Sequence, residues 1–387
     1  MNQKIGVILS LCSLVVGCVA PAGGADVGAN AEALSREERR GRSLFQHETF
    51  GGNGRACETC HRLDNNGTID PEFIAGLDPS DPLFRPIDSD DGTGATYDQL
   101  RARATVNVTL RLPPYLRPCN DLSATTWTVR RSVPTSANVA AESVFNWDAS
   151  ATSLDDQALG AVFAHFEPTR TPTSDELLAI AAFQETLFTR REVRKLARRG
   201  RVPELPRGNT PAQRRGRDFY LPEGQCGVCH SGPMLNELSA FHPDVVAGGR
   251  SAGERTAMIL AGTVGNRPQP GVQWCVLNPA GAVVLRTPVP FADPGIAVNT
   301  FPNRPGVIGG FKIPTLWGAA GTAPFFHDAS ALDLQQMMDH YNLFFARFSQ
   351  FGPQLTPAEQ ADAIAYLELL GVRGNRNDDD DDDDDDD

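Results

Sequence analysis

The sequence predicts a mainly α protein built from two similar halves with long loop insertions, and three repeated features predict it. A five-residue motif occurs twice, as Cys57-Glu58-Thr59-Cys60-His61 and Cys226-Gly227-Val228-Cys229-His230. A basic phrase precedes each copy: Arg39-Arg40-Gly41-Arg42-Ser43-Leu44-Phe45 and Arg214-Arg215-Gly216-Arg217-Asp218-Phe219-Tyr220. A similar apolar helix closes each half, through Ala179-Ile180-Ala181-Ala182-Phe183 and Ala363-Ile364-Ala365-Tyr366-Leu367. Order repeated at this scale marks an internal duplication.

Residues 1–18 read as an export signal. Lys4 is its positive end, and Ile5 to Val16 is an apolar run too short to span a membrane. Val15-Val16-Gly17-Cys18 resembles a lipoprotein cleavage site, so Cys18 is the expected lipid-anchored residue of a periplasmic protein. Ordinary small-residue cleavage sites follow at Ala20 to Ala25. Residues 19–33 form a Gly/Ala-rich spacer. Ser35 then opens the first helix, with Glu37 and Glu38 in its first turn.

The first half is expected over 34–195 and the second over 211–371. The basic, then Pro/Gly-containing stretch Arg190 to Thr210 is the expected linker. Thr356 and Glu359 make a capping box for the last helix. Leu77 to Trp127 and Pro233 to Gly310 lack periodicity and read as long loops or short β excursions. Residues 372–387 form an acidic tail. The net charge of −13 includes ten consecutive aspartates, Asp378 to Asp387, leaving −3 for the rest. No basic surface suggests nucleic-acid binding.

The repeated motif carries the chemistry. C-x-x-C-H is the attachment signature of c-type haem: two thiols add to the vinyl groups, and the adjacent imidazole ligates the iron. A zinc knuckle would need two further ligands nearby, which neither copy has. A redox dithiol would not require the histidine twice. Two covalently bound c-type haems are expected, held by Cys57, Cys60 and His61 and by Cys226, Cys229 and His230. Helix, haem motif, loops and closing helix make the pattern of a cytochrome c domain, so two such domains are expected. Cys119 and Cys275 are the one unassigned cysteine pair, and in an oxidising compartment they are expected to form a disulfide between the insertions.

What closes the other face of each iron decides between catalysis and electron transfer. No methionine lies between Met1 and Met234, so the first iron takes a histidine, His47 or His165, or stays open to peroxide or another small ligand. The second half offers Met258, Met337, Met338, His340 and Tyr341, and Met337 and Tyr341 share a helical face. These residues alone do not choose among them.

Phe311-Lys312-Ile313-Pro314-Thr315-Leu316-Trp317, followed by Thr322-Ala323-Pro324-Phe325-Phe326-His327-Asp328, resembles the second-domain signature of bacterial dihaem cytochrome c peroxidases. It also resembles that of the related enzyme that matures tryptophan tryptophylquinone. Ser132-Val133-Pro134-Thr135, Asn138 and Phe145-Asn146-Trp147-Asp148 resemble the first-domain segment of the same family.

The resemblance implies that Trp147 relays electrons between the haems, that Glu167 is the distal acid–base, and that Gln157 lies in the distal pocket. It places His327 near the second haem. It implies calcium on the carbonyls of Thr322 and Pro324, with Ser132 where the peroxidases have asparagine. Tyr341 stands where typical peroxidases have the methionine ligand of the second iron, and Ala161 replaces a proline of both relatives.

The implied activity is reduction of hydrogen peroxide with electrons from a small redox protein, a cytochrome c or cupredoxin. The alternatives are a tyrosine-ligated, high-valent dihaem oxidase acting on a protein or organic substrate, and a non-catalytic electron carrier. Oligomeric state is not legible.

Overall fold

The computed structural model describes residues 34–237, 239–243, 269–299 and 308–371. The export signal, Cys18, the spacer, Met258 and the aspartate run lie outside these residues. Among the described residues there are nine α-helices and five short strands, joined by irregular segments. None of these helices is long and apolar enough to cross a membrane.

Each half is framed by a crossed helix pair. Helix α1 (Arg36–His47) starts at Ser35, whose side chain and that of Glu38 form a capping box. It crosses α5 (Ser174–Gln184), itself capped by Thr173 and Glu176. In the second half, α7 (Pro211–Arg217) crosses α9 (Pro357–Leu369), capped by Thr356 and Glu359 as expected.

The crossing explains the repeated basic phrase. A Cβ on Gly41 would lie 1.8 Å from the Ala179 carbonyl oxygen, and one on Gly216 would lie 1.9 Å from that of Asp362. Both would also lie 2.9 Å from the Cβ of an aromatic residue, Phe183 in one half and Tyr366 in the other. Only glycine allows such close backbone approach. Phe45 meets Phe183 at a centroid distance of 5.4 Å, and Tyr220 meets Tyr366 at the same distance.

The insertions are more ordered than the sequence suggests. Between Leu77 and Trp127 lie α3 (Asp98–Arg103), β1 (Thr105–Arg111) and β2 (Leu116–Pro118), preceded by the short α2 (Pro71–Ala75). Strand β1 pairs antiparallel with β3 (Thr126–Ser132), in a register that sets Val108 opposite Val129. Strand β2 pairs with β4 (Trp274–Leu277), which pairs with β5 (Val283–Arg286). This second sheet therefore joins the insertion of one half to that of the other. The Cys119–Cys275 disulfide staples it, and Trp127 meets Trp274 edge-on at 5.5 Å. The short β excursions expected here are thus present, and the pairing of β2 with β4 was hard to read because both strands are short and lie in different insertions.

The expected linker also contains structure. Residues Arg191–Arg199 form α6, whose Val193 and Leu196 are buried among Tyr220, Met234 and Trp317 of the second half. Apolar positions three apart, in an otherwise basic run, were the signal for this helix. Helix α4 (Leu154–His165) and α8 (Leu334–Arg347) complete the frame.

Candidate haem centres

Each C-x-x-C-H motif packs beneath its helix pair. Cys57 lies against the core of Phe45, Phe50 and Phe183, and Cys226 against that of Tyr220, Met337 and Tyr366. Burial pushes the Cys57 thiol up to about 12 and the Cys226 thiol up to about 12, in each case with help from the neighbouring cysteine. Burial likewise raises Cys60, to about 11, and Cys229. All four thiols are unpaired, whereas Cys119 and Cys275 are joined. Burial that raises all four thiols suits groups that form thioethers and does not favour a bare thiolate site.

The two histidines are oriented alike. His61 Nδ1 lies 3.1 Å from the Gly67 carbonyl oxygen, and His230 Nδ1 lies 3.0 Å from that of Leu235. An imidazole whose Nδ1–H donates to a carbonyl presents Nε2 to a metal. Burial lowers the pKa of both, His230 to about 4, which keeps the rings neutral as ligation requires. The carbonyls of Gly67 and Pro134 oppose that shift at His61, as do those of Leu235 and Pro314 at His230.

The environments of these prolines repeat as well. Thr135 Oγ1 donates to Asn66 O at 2.5 Å, and Thr315 Oγ1 donates to Met234 O at 2.6 Å. Val133-Pro134-Thr135 and Ile313-Pro314-Thr315 are thus equivalent walls. Their shared Pro-Thr was a legible signal of this equivalence.

One cavity of about 440 Å³ is lined by both histidines, Trp147, Gln157, His327 and Tyr341. That volume falls within the roughly 300–1,000 Å³ of small-molecule sites. Neutral imidazoles, buried thiols and an apolar lining make the residues a fit for haem at both motifs. Among the described residues, no group of three or more His, Cys, Asp or Glu side chains is placed to hold a bare metal ion.

Trp147 sits at the seam of the halves. Its indole Nε1–H donates to Ser132 O at 2.9 Å, and its own carbonyl accepts from Lys312 N at 2.8 Å. Gln157 donates to Asn146 at 3.4 Å from the first turn of α4. His327 stacks on Phe311 at 3.5 Å. Tyr341 lines the cavity with Met337, Met338 and His340, the four described candidates for the second iron. Burial, with Cys226 and Cys229 close by, raises the Tyr341 phenol.

Glu167 is placed differently. It follows α4 in a left-handed conformation, φ 51°, and is exposed. It does not line the cavity described above. Asn53, four residues before the first motif, donates to Glu167 Oε2 at 2.9 Å and to His165 O at 3.0 Å. His165 is kept neutral mainly by burial, whereas His47 is exposed at the end of α1. Thr322 and Pro324 line the cavity, while Ser132 donates its hydroxyl to Phe326 O at 2.7 Å.

Sequence reading missed the buried ions around this site. Arg55, beside the first motif, pairs with Asp88 at 2.5 Å. Lys312 lies 3.7 Å from Glu142, which accepts from Asn236. Arg131 pairs with Asp148 and Asp293, each at 2.7 Å. Partners so far apart in the chain leave no local signature.

Residues 36–195 match the di-haem cytochrome c peroxidase family. Such a family implies two haem cofactors and an oxidoreductase. A MauG-like protein associated with microbial copper homeostasis is similar in structure at 19% identity and a TM-score of 0.51, covering 91% of this chain and 93% of its own. That likeness extends the fold beyond the matched segment. The diheme peroxidase BthA from Burkholderia thailandensis E264 aligns at 14% identity and a TM-score of 0.46, covering 90% and 89%. No curated protein matches the chain.

Proposed function

We propose that the chain is a periplasmic dihaem c-type oxidoreductase that reduces hydrogen peroxide with electrons from a small redox protein. It would comprise two cytochrome c-like domains, 34–195 and 211–371, after a lipoprotein signal. The observation that carries this reading is one cavity lined jointly by His61, Trp147, His230 and Tyr341.

In it, Cys57 and Cys60 hold the first haem and Cys226 and Cys229 the second, each through thioethers. His61 and His230 offer Nε2 to the irons while Gly67 and Leu235 hold Nδ1. Bound haem supplies one-electron chemistry and, at an open face, a site for peroxide. Glu167 takes a proton from peroxide at its carboxylate and returns it to the departing oxygen. Asn53, four residues before the first motif, donates to that carboxylate. Gln157 orients the small substrate, and Trp147 carries electrons across the seam. Thr322 and Pro324 are the proposed calcium carbonyls; Ser132 spends its hydroxyl proton on Phe326, and no step passes through that ion.

Peroxide reduction consumes two electrons and two protons and yields two waters. The test is to mix the fully oxidised dihaem protein with one equivalent of peroxide and follow its visible and near-infrared spectrum. Reaction at one haem, with carbon monoxide binding only there after reduction, supports the proposal. Two irons that bind neither ligand would leave an electron carrier.

A second reading, a tyrosine-ligated oxidase of a protein or organic substrate, is favoured by Tyr341 in the cavity wall. A phenolate is an anionic donor and favours the oxidised metal, whereas methionine raises the potential. Tyr341→Met is expected to raise the second haem's midpoint potential and change its spectrum. Unchanged values would remove Tyr341 as a ligand.

A further inference from the structure

The two halves differ at two positions where their walls should match. The helix crossings set the register of the duplication. Gly41 faces Ala179 O and the Phe183 Cβ, and Gly216 faces Asp362 O and the Tyr366 Cβ. Ala179 thus corresponds to Asp362 and Phe183 to Tyr366, which makes Leu367 the counterpart of Gln184. The Pro-Thr walls set a second register. Pro134-Thr135 corresponds to Pro314-Thr315, which makes Leu316 the counterpart of Ser136. All four residues are buried and line the shared cavity. In the second half both positions are leucine, and in the first half both are polar.

Gln184 is 7% exposed and Ser136 3%. Gln184 Oε1 and Ser136 Oγ have no hydrogen-bond partner among the described residues. Such atoms are few in folded proteins, and each asks for a reason. Both residues belong to the first haem site. Ser136 N donates to Gly67 O at 3.1 Å, and the same carbonyl lies 3.1 Å from His61 Nδ1. Gln184 follows Phe183, whose ring meets Phe45 at 5.4 Å, and Phe45 lies 6.4 Å from the His61 ring.

A haem iron carries one more positive charge when ferric than when ferrous. Polar groups beside the cofactor favour the more charged form, and an apolar wall favours the less charged one. Little water competes in a buried site, which strengthens the effect.

We propose that Ser136 and Gln184 set the potential of the first haem: their uncommitted polar atoms hold its iron toward the oxidised state, and Leu316 and Leu367 exert no such hold on the second. This rests on the dihaem reading above and gives the two repeated sites different redox characters. Peroxide draws electrons from the iron it meets, so a wall that favours oxidised iron suits the first site.

The test is a spectroelectrochemical titration of the intact dihaem protein, with haem content measured as the pyridine haemochrome. Gln184→Leu and the double variant Ser136→Ala/Gln184→Leu give the first half the apolar wall of the second. Gln184→Asn keeps the amide, and Leu367→Gln carries a polar group into the second half. The inference expects the double variant to favour reduction of one haem about tenfold, a rise of about 59 mV for a one-electron couple. Gln184→Leu alone should raise the same midpoint by less, and Gln184→Asn should stay near the unaltered value. Leu367→Gln should lower the other midpoint. Both midpoints unmoved in a double variant that carries two haems would overturn the inference. Equal rises in Gln184→Asn and Gln184→Leu would assign the shift to packing and overturn the role of polarity. If the double variant loses the first haem, Ser136→Ala alone decides, since it removes only a hydroxyl: a raised midpoint supports the inference and an unchanged one overturns it. Fewer than two haems in the unaltered protein would fail the dihaem reading first.

Discussion

The duplicated helix crossing makes a quantitative prediction. Replacing Gly41 by alanine would place a methyl carbon 1.8 Å from the Ala179 carbonyl oxygen. Ordinary nonbonded carbon contacts lie at roughly 3.5–4.0 Å. The obstacle is backbone within a helix, so no rotamer change relieves it and α1 must move off α5. Overpacking of this kind costs about 1–3 kcal/mol, and here the upper end applies. Alanine returns up to about 1 kcal/mol of helix propensity, leaving a net loss of about 2 kcal/mol. For a half of this size that lowers Tm by roughly 4–8 °C.

Gly216→Ala should behave alike, since its methyl would lie 1.9 Å from Asp362 O. Gly160 is the internal control: it lies in α4, and a Cβ there meets nothing within 4 Å. Gly160→Ala should stabilise the protein by up to about 1 kcal/mol. Thermal and urea unfolding followed by circular dichroism measure all three, and haem absorbance shows which centre is disturbed. Gly41→Ala and Gly216→Ala proteins as stable as the Gly160→Ala protein would refute the crossing geometry.

Three further outcomes are expected. Opening the Cys119–Cys275 disulfide, which closes a loop with a sequence separation of 156, should destabilise the chain by up to about 5 kcal/mol on chain entropy; equal urea midpoints for Cys119→Ser/Cys275→Ser and the unaltered protein would contradict this. Burial alone would raise Asp293, yet the Arg131 charge and hydrogen bonds hold its carboxyl below the usual range. That stability is present above the unfolded value of about 3.9 and is lost as pH falls through the lower folded value. The gap in unfolding free energy between unaltered protein and Asp293→Asn should therefore narrow from pH 7 to pH 3, and a constant gap would dissociate Asp293 from acid stability. Glu167→Gln should slow peroxide turnover by about 10²–10⁴-fold, with a smaller loss in Asn53→Ala; full activity in Glu167→Gln would end the acid–base assignment.

Much of the frame was legible because its determinants are local. Ser35 with Glu38, Thr173 with Glu176 and Thr356 with Glu359 announce their helices within four residues. The C-x-x-C-H motifs place thiol and imidazole in one turn. The glycine within each basic phrase was visible as a repeat, but its purpose required the crossing partner. Legibility failed where partners are distant. Strand β2 finds β4 across the insertions, and Arg131 finds Asp293 from the other half. Helix α6 was obscured by its charge, since its apolar content is confined to the narrow stripe of Val193 and Leu196 that reaches the second core. The choice among Met337, His340 and Tyr341 was also not local, because all three face one cavity.

The duplication and the insertions divide the work of the molecule. Each half repeats a glycine crossing, a haem motif, a carbonyl-held imidazole and a Pro-Thr wall. A repeated frame alone would give two equivalent centres. Part of the asymmetry comes from what was added between the repeated parts. Strand β2 of the first insertion joins β4 and β5 of the second in the shared sheet, a disulfide fixes it, and Asp293 reaches Arg131 from the second insertion. Arg131 and Ser132 belong to β3, and Ser132 holds the indole of Trp147. The second insertion therefore reaches the strand that holds Trp147 through the buried Arg131–Asp293 pair. Changing the added segments should alter communication between the centres while leaving each centre's own attachment intact.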